Sequence, residues 1–201
     1  SYPWCGECAH CRRQRLNYCA NARNLKTKGT RADGSTLLAQ NGAPVYGAFF
    51  QQSSFGTYAL TQARYAVKVR HDAPLDLIGP LACSGQTGAG AVLNVLKPNA
   101  AESLAVFGAG AVGLSALMAA KIAGCAPLVA VDLHAHRLEL ARELGATHTI
   151  NANAGTDVAA VIRAASAGGV HYAVDTSAVP KALREAVESL MPGGTCVLLG
   201  S

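Results

Sequence analysis

From Ser103 onward, short apolar runs alternate with longer segments of helical character. Short apolar strands separated by helices are typical of a parallel sheet that helices cover on both faces. The pattern therefore predicts a doubly wound α/β domain. The predicted strands are 104–107, 128–131, 148–150, 171–174 and 195–199, and the predicted helices are 111–123, 134–144, 157–165 and 181–190.

The first half of the chain has a different texture. Residues 20–45 are polar and predict a loop, whereas residues 45–69 are rich in aromatic and β-branched side chains, which predicts antiparallel strands. Residues 87–97 predict a helix that ends before a proline. We therefore divide the chain into a partial, β-rich domain, residues 1–86, and an α/β domain, residues 87–201.

Length and composition limit the class of protein. The chain has 201 residues, half of them hydrophobic, which is enough for a substantial core. No apolar run reaches the length of a membrane span, so no membrane partner is expected. Its seven cysteines, an odd number, fit reduced thiols and metal ligands better than a disulfide framework. We therefore expect a cytoplasmic protein.

Four cysteines near the start carry the strongest chemical signal: Cys5, Cys8, Cys11 and Cys19. Thiolates at this spacing can close a tetrahedral zinc site, and four protein ligands leave the ion no open position for chemistry. A redox pair or scattered buried cysteines would be the simpler alternatives, but four cysteines at this spacing disfavour both. The sequence predicts a structural zinc.

The start of the chain is also strongly basic. Residues 1–31 hold seven Lys or Arg and one acid. Arg12, Arg13 and Arg15 lie within the cysteine cluster and raise the possibility of nucleic-acid binding. The alternative is that these charges offset the negative charge of a tetrathiolate zinc. We favour the second interpretation, because no recognition helix and no aromatic stacking platform follow, and we expect no nucleic-acid partner.

A glycine-rich motif follows the first predicted strand of the α/β domain and opens its helix. Its members are Gly108, Gly110, Ala111, Val112 and Gly113. A G-x-G-x-x-G motif is weak by itself, but a strand before it and a helix after it are the context that a dinucleotide-binding turn requires. The first glycine allows the tight turn, the second admits the diphosphate, and the third lets helix and strand pack closely.

An acid at the end of the second predicted strand completes this motif. Asp132 lies 19 residues after Gly113, where a carboxylate accepts hydrogen bonds from the adenosine ribose and repels a 2′-phosphate. The predicted cofactor is therefore NAD. Arg137 follows on the next helix, where it either reaches the ribose or a phosphate or is a solvated charge.

Cys83 lies just before a predicted helix at the junction of the two predicted domains. A buried structural cysteine is the usual explanation for such a residue. Ligands commonly bind at domain junctions, which favours a metal-binding or reactive role. Both interpretations stay open from the residue pattern alone.

Together these motifs resemble the zinc-dependent medium-chain alcohol dehydrogenases. The cysteine cluster, the 79–90 segment and the glycine motif with its acid follow the order and spacing of that family. Residues 45–60 and 79–90 are most similar to its aryl- or benzyl-alcohol branch. The resemblance implies a Rossmann-type dinucleotide-binding domain, preceded by part of a GroES-like catalytic domain that carries a structural zinc lobe.

The resemblance also implies zinc-assisted hydride transfer from an alcohol to NAD, which gives an aldehyde. Cys83 would be one ligand of a catalytic zinc, and Thr87 and Val112 would lie beside the nicotinamide. The turn formed by Leu199, Gly200 and Ser201 would meet the nicotinamide carboxamide.

Two aromatic residues, Phe49 and Phe50, match substrate-pocket positions of the family. Two rings there would suit a benzylic or bulky apolar alcohol. Core packing of a β-rich domain explains them at least as well, so both interpretations stay open.

The family places two further ligands of the catalytic zinc, a proton relay and a sixth strand outside the residues present here. We therefore expect this chain to be inactive by itself. The complete enzyme would be a homodimer or homotetramer with one structural and one catalytic zinc in each chain. An NAD-binding module without turnover is an alternative function. A zinc-free quinone or enoyl reductase is another, although the cysteine cluster and Cys83 argue against it.

Overall fold

The computed structural model describes residues 2–31, 33–36, 38–52, 56–153 and 155–200. It divides into two compact units, Ser1–Ala73 and Pro74–Ser201. Residues 74–86 thus group with the second compact unit. The domain boundary predicted between residues 86 and 87 remains a prediction. Ser201, predicted to contact the cofactor, lies outside the described residues.

The first unit consists of short elements joined by turns. They are α1 (Ala9–Arg12), a 3₁₀ turn (Leu16–Tyr18), α2 (Ala22–Thr27), β1 (Leu38–Gln40), β2 (Ala43–Val45) and a second 3₁₀ turn (Ala63–Tyr65). Strands β1 and β2 form an antiparallel hairpin in which Leu38 lies opposite Val45.

The prediction of antiparallel strands over residues 45–69 is wrong for the described part of that segment. It contains only the end of β2 and isolated bridges, and Tyr58 and Val67 are 93% and 76% exposed. Phe50 and Gln51 have positive φ angles of 54° and 60°, which interrupt an extended backbone. Aromatic and β-branched composition favours a strand only where a neighbouring strand completes its hydrogen bonds.

The second unit begins with short helices and continues as an α/β domain. The helical elements before the sheet are α3 (Leu75–Ile78), a 3₁₀ turn (Gly79–Ala82), α4 (Ser84–Gly90) and a π-helical turn (Ala91–Leu96). The elements of the domain are β3 (Leu104–Phe107), α5 (Ala111–Ile122), β4 (Leu128–Asp132), α6 (Ala135–Leu144), β5 (His148–Asn151), α7 (Val158–Ala165), β6 (Val170–Asp175), α8 (Pro180–Glu188) and β7 (Leu190–Leu198).

The five strands form one parallel sheet in the order β5-β4-β3-β6-β7. The order reverses at β3, because β4 lies on one side of it and β6 on the other. In doubly wound folds, ligands bind beyond the carboxyl ends of the strands at this reversal. The predicted fold class is confirmed, and the glycine motif after β3 lies at the reversal.

Both faces of the sheet are buried, and the period of two along each strand assigns residues to them. Leu104 and Val106 of β3 face one core with Leu117 of α5, and Ala105 and Phe107 face the other core. Burial on both faces explains why these strands are continuous apolar runs in the sequence.

Two element boundaries differ from their predictions by three residues or more. The helix predicted over residues 87–97 begins at Ser84, and the last strand begins at Leu190 rather than at residue 195. The sequence Pro-Gly-Gly inside β7 suggests a turn, but the strand absorbs it as an irregularity, since Val170 pairs with Leu190 and Tyr172 pairs with Thr195.

Helix α4 packs closely against α5 at a glycine. A Cβ atom added to Gly88 would lie 2.1 Å from the carbonyl oxygen of Val112. Only a residue without a side chain permits this approach, so Gly88 fixes the position of α4, with Cys83 at its N-cap, against the helix that follows the glycine motif.

Candidate functional site

The predicted zinc ligands lie together in the first unit. The sulfur atoms of the four cysteines are all within 4.8 Å of one another. The Sγ atom of Cys5 is 3.6 Å from that of Cys19 and 4.0 Å from that of Cys11. A tetrahedron with Zn–S bonds of about 2.3 Å separates its sulfurs by about 3.8 Å. The donor set and its spacing therefore fit a structural zinc.

The surroundings of the cluster change the acidity of its thiols in opposite directions. Backbone N–H groups of Cys11 and Ala20 lower the pKa of Cys8 to about 6. Burial raises the pKa of Cys11 to about 12. Cys8 is thus readily a thiolate near neutral pH, whereas Cys11 needs a bound cation to lose its proton. Zinc would supply that cation, because a coordinating thiol is deprotonated.

The glycine motif forms a tight turn between β3 and α5. Gly108 has a φ of 94°, a conformation that L side chains rarely adopt. A Cβ atom on Gly113 would lie 1.8 Å from the Gly108 carbonyl oxygen, so helix and turn are in direct contact there. The space beside Gly110 is open, with no atom within 4 Å of an added Cβ among the described residues. The turn is shaped to let a ligand approach its backbone at Gly110.

Asp132 ends β4 beside this turn and is 8% exposed. Its Oδ2 atom accepts a hydrogen bond from the backbone N–H of Ala109 at 2.8 Å, and its Oδ1 atom accepts one from the N–H of His134 at 2.9 Å. A carboxylate oxygen can accept more than one hydrogen bond, so both retain capacity for ribose hydroxyls. The Nη1 atom of Arg137 lies 3.7 Å from Oδ2.

These groups line one cleft of about 720 Å³ in the second unit. It brings together most of the predicted cofactor-binding residues: Gly108, Gly110, Ala111, Val112, Asp132 and Arg137. Gly113 is buried beneath the turn. Helix α5 begins at the cleft, where its free N–H groups and positive dipole end favour a phosphate. The arrangement fits the diphosphate and ribose of a dinucleotide.

Other predicted residues lie outside the lining of this cleft. Cys83 is exposed at the N-cap of α4, and its neighbour Ser84 does line the cleft. The backbone N–H groups of Leu199 and Gly200 both donate to the Asp175 carbonyl oxygen. The nicotinamide contacts of these residues, and of Thr87, remain predictions.

A catalytic zinc is not complete within the described residues. Among them, the four-cysteine cluster is the only group of three or more His, Cys, Asp or Glu that could hold a metal ion. A catalytic zinc has about three protein ligands. Cys83 alone does not fit such a site, so no reaction step is assigned to that metal.

The two phenylalanines of the predicted substrate pocket are neighbours in the first unit. Phe49 is 59% exposed, and its ring packs edge-on against that of Phe50 at a centroid distance of 4.5 Å. Phe50 also contacts Tyr2 at 5.9 Å. The exposure of Phe49 disfavours simple core packing, and a substrate contact remains a prediction.

Comparison with known proteins gives a consistent family. The family described as zinc-binding dehydrogenase matches residues 111–201. The crystal structure of an alcohol dehydrogenase zinc-binding domain protein from Burkholderia ambifaria is 46% identical, with a TM-score of 0.93, over 100% of this chain and 54% of that chain. Residues 111–201 thus match the zinc-binding dehydrogenase family, and the whole chain is similar to an alcohol dehydrogenase zinc-binding domain protein.

Two named alcohol-oxidising dehydrogenases are similar to this chain over its whole length. Benzyl alcohol dehydrogenase from Acinetobacter calcoaceticus is 42% identical with a TM-score of 0.91, over 100% of this chain and 54% of that chain. Geraniol dehydrogenase from Castellaniella defragrans is 42% identical over 100% of this chain and 54% of that protein. The chain thus spans about half the length of these relatives.

The described part of the chain contains no helix of the length and apolarity needed to cross a bilayer.

Sequence reasoning missed several residues that line the cleft. Thr176, Ser177 and Val179 follow β6, and Lys181 and Glu185 are on α8; all five line the cleft. These residues line the cleft because the carboxyl ends of parallel strands meet at one edge of a sheet and β6 is the neighbour of β3. That neighbour relation is not visible in the sequence alone.

Adding one methyl group is expected to have different effects at Gly110 and at Gly113. In Gly113→Ala the new Cβ meets backbone, so we expect a stability loss of about 1–3 kcal/mol or more together with loss of NADH binding. In Gly110→Ala the new Cβ enters the open cleft, so we expect weaker NADH binding at nearly unchanged stability. Urea unfolding and NADH titration measure both; equal stability losses in the two variants would contradict this geometry.

Proposed function

We propose that the protein transfers a hydride from a primary or aromatic alcohol, such as benzyl alcohol, to NAD and releases the aldehyde. The observation that carries this proposal is the cleft at the start of α5, where the open backbone at Gly110 and the carboxylate of Asp132 meet. The match of residues 111–201 to a dehydrogenase family supports the reaction class. Relatives named for benzyl alcohol and geraniol support the substrate class.

Different residues of the cleft would bind different parts of the cofactor. Free N–H groups at the start of α5 would bind the diphosphate, and Asp132 would accept hydrogen bonds from the two adenosine ribose hydroxyls. Thr87 and Val112 would lie beside the nicotinamide, and the backbone from Leu199 to Ser201 would bind its carboxamide. Bound NAD supplies the hydride acceptor.

Metal, compartment and assembly belong to the same proposal. The cysteine cluster would hold a structural zinc, and Cys83 would be one ligand of a catalytic zinc in the whole protein. An odd number of cysteines, four of them gathered as candidate zinc ligands, fits a reducing compartment, the cytoplasm, better than a disulfide framework. We propose a homodimer or homotetramer for the complete enzyme.

A second function is a binding module that holds NAD without turnover. One observation favours it: among the described residues, no group of three or more His, Cys, Asp or Glu that could hold a metal ion includes Cys83. The family match and the cleft support both functions equally, so the two functions differ only in the chemistry that follows NAD binding.

Fluorescence titration with NADH, followed by an assay of benzyl alcohol with NAD, separates the two functions. Saturable NADH binding with NADH production supports the dehydrogenase, and binding without production supports the module. NADPH is the matched control ligand, because Asp132 should weaken its binding. Absence of NADH binding to folded, zinc-loaded protein would contradict both functions.

A further inference from the structure

The peptide unit between Gly108 and Ala109 is held at both of its polar ends. The hydroxyl of Thr176 donates a hydrogen bond to the Gly108 carbonyl oxygen at 2.9 Å. The backbone N–H of Ala109 donates to the Oδ2 atom of Asp132 at 2.8 Å. The two anchors come from opposite neighbours of β3, since Asp132 ends β4 and Thr176 follows β6.

This peptide needs anchors because its first residue is a glycine. Gly108 has no Cβ to oppose rotation of the peptide plane. A reversed plane would direct the Gly108 carbonyl oxygen towards the carboxylate of Asp132, and both existing hydrogen bonds would be lost. The next residue along, Gly110, is where the backbone is open to the cleft. The orientation of this peptide therefore sets the backbone that a diphosphate would meet.

The sheet itself places the Thr176 hydroxyl over the turn. Phe107 of β3 pairs with Asp175 of β6, and the N–H of Thr176 donates to the Phe107 carbonyl oxygen at 2.9 Å. The hydroxyl also lies 3.0 Å from the same carbonyl oxygen. An added Cβ on Gly108 would lie 2.6 Å from the Thr176 Oγ1 atom, so the hydroxyl packs directly against Gly108.

We propose that Thr176 is a positioning residue for the dinucleotide: together with Asp132, it fixes the orientation of the Gly108–Ala109 peptide. This inference rests on the proposed function, because it assumes that the turn binds the cofactor diphosphate. Thr176 acts through the backbone of the turn, so it contributes to binding by preorganisation.

The test is Thr176→Val, which keeps the shape of the side chain and removes its donor. We expect the Kd for NADH to rise about tenfold, because a carbonyl oxygen loses its hydroxyl partner and the turn loses one anchor. Thr176→Ser, which restores the donor, should recover most of the affinity. Thr195→Val makes the same chemical change at an exposed position of β7 and should leave NADH binding unchanged.

The binding of NADH by the unsubstituted chain distinguishes failure of the inference from failure of the proposed function. If the unsubstituted chain binds NADH and Thr176→Val binds it equally well, the inference fails while the proposed function stands. If Thr176→Ser loses as much affinity as Thr176→Val, the methyl group rather than the hydroxyl matters, and the inference fails. If Thr176→Val does not fold, Thr176→Ala carries the same comparison with Thr176→Ser. No NADH binding by the unsubstituted chain overturns the proposed function and the inference together.

Discussion

Replacing Cys11 with serine is expected to abolish zinc binding and to unfold the loop that carries the cysteine cluster. Cys11 is 3% exposed, and its sulfur is one of four that surround the proposed ion. Structural zinc in small peptide sites contributes roughly 10–16 kcal/mol at pH 7, so loss of one ligand should lower stability by several kcal/mol. Metal analysis should give one zinc per unsubstituted chain and none in the variant, and thermal unfolding should shift accordingly.

Cys196→Ser is the matched control for this experiment. Cys196 is a half-buried cysteine of β7 outside the cluster, so its loss should leave the zinc content at one per chain. A zinc content near zero in freshly purified, reduced protein would remove the basis for the site. Full zinc retention in Cys11→Ser would show that the ion is held elsewhere.

The second large effect is expected on the preference for NAD over NADP, when the proposed ribose ligand Asp132 is replaced. Asp132→Ala should reduce the preference for NAD over NADP by up to about a thousandfold, since a carboxylate at about 4 Å repels a unit charge by about 4 kcal/mol at an effective dielectric of about 20. Solvent in the cleft makes this an upper bound. Arg137 reinforces the change, because its guanidinium lies 3.7 Å from Asp132 and would be released to attract a 2′-phosphate.

Comparison of Kd values for NADH and NADPH measures this preference. Asp157→Ala removes another acid, at the N-cap of α7, where its side chain accepts a hydrogen bond from the Ala160 N–H. Since Asp157 is not among the residues lining the cleft, that variant should keep the original NADH/NADPH ratio. An unchanged ratio in Asp132→Ala would place the ribose elsewhere.

The α/β unit could be predicted closely because its strands are short apolar runs between helices. Strand β3 has the predicted bounds, and α5 ends one residue before its predicted end. Buried parallel strands are apolar on both faces, which makes each one stand out from the amphipathic helices around it. The proximity of the four cysteines could be predicted equally well, because short loops force cysteines at such spacing together.

The first unit could not be predicted in the same way. Its aromatic and β-branched segment satisfies the local criteria for strands, but a strand also needs a partner for its backbone hydrogen bonds. Partnership is a property of tertiary structure. Exposed side chains such as Tyr58 show that local composition alone did not decide the conformation.

The inner contacts of the cleft were beyond sequence reasoning for a related reason. Asp132 was predicted as a ribose ligand, and its hydrogen bond to Ala109 was not. Thr176 is 68 residues from Gly108 in sequence, and only the register of β6 on β3 brings the two together. Motif reading identifies residues that face a ligand, whereas those that hold the motif in shape come from neighbouring strands.

The close helix contact at Gly88 has a consequence for how sequences of this kind can diverge. Because α4 rests directly on α5, the distance from Cys83 to the glycine motif is set by a contact between two helices rather than by the turn before Cys83. Insertions or deletions in residues 79–82 should therefore be tolerated during evolution without moving the sulfur. A larger residue at position 88 would separate the helices and displace it, even with every motif residue intact.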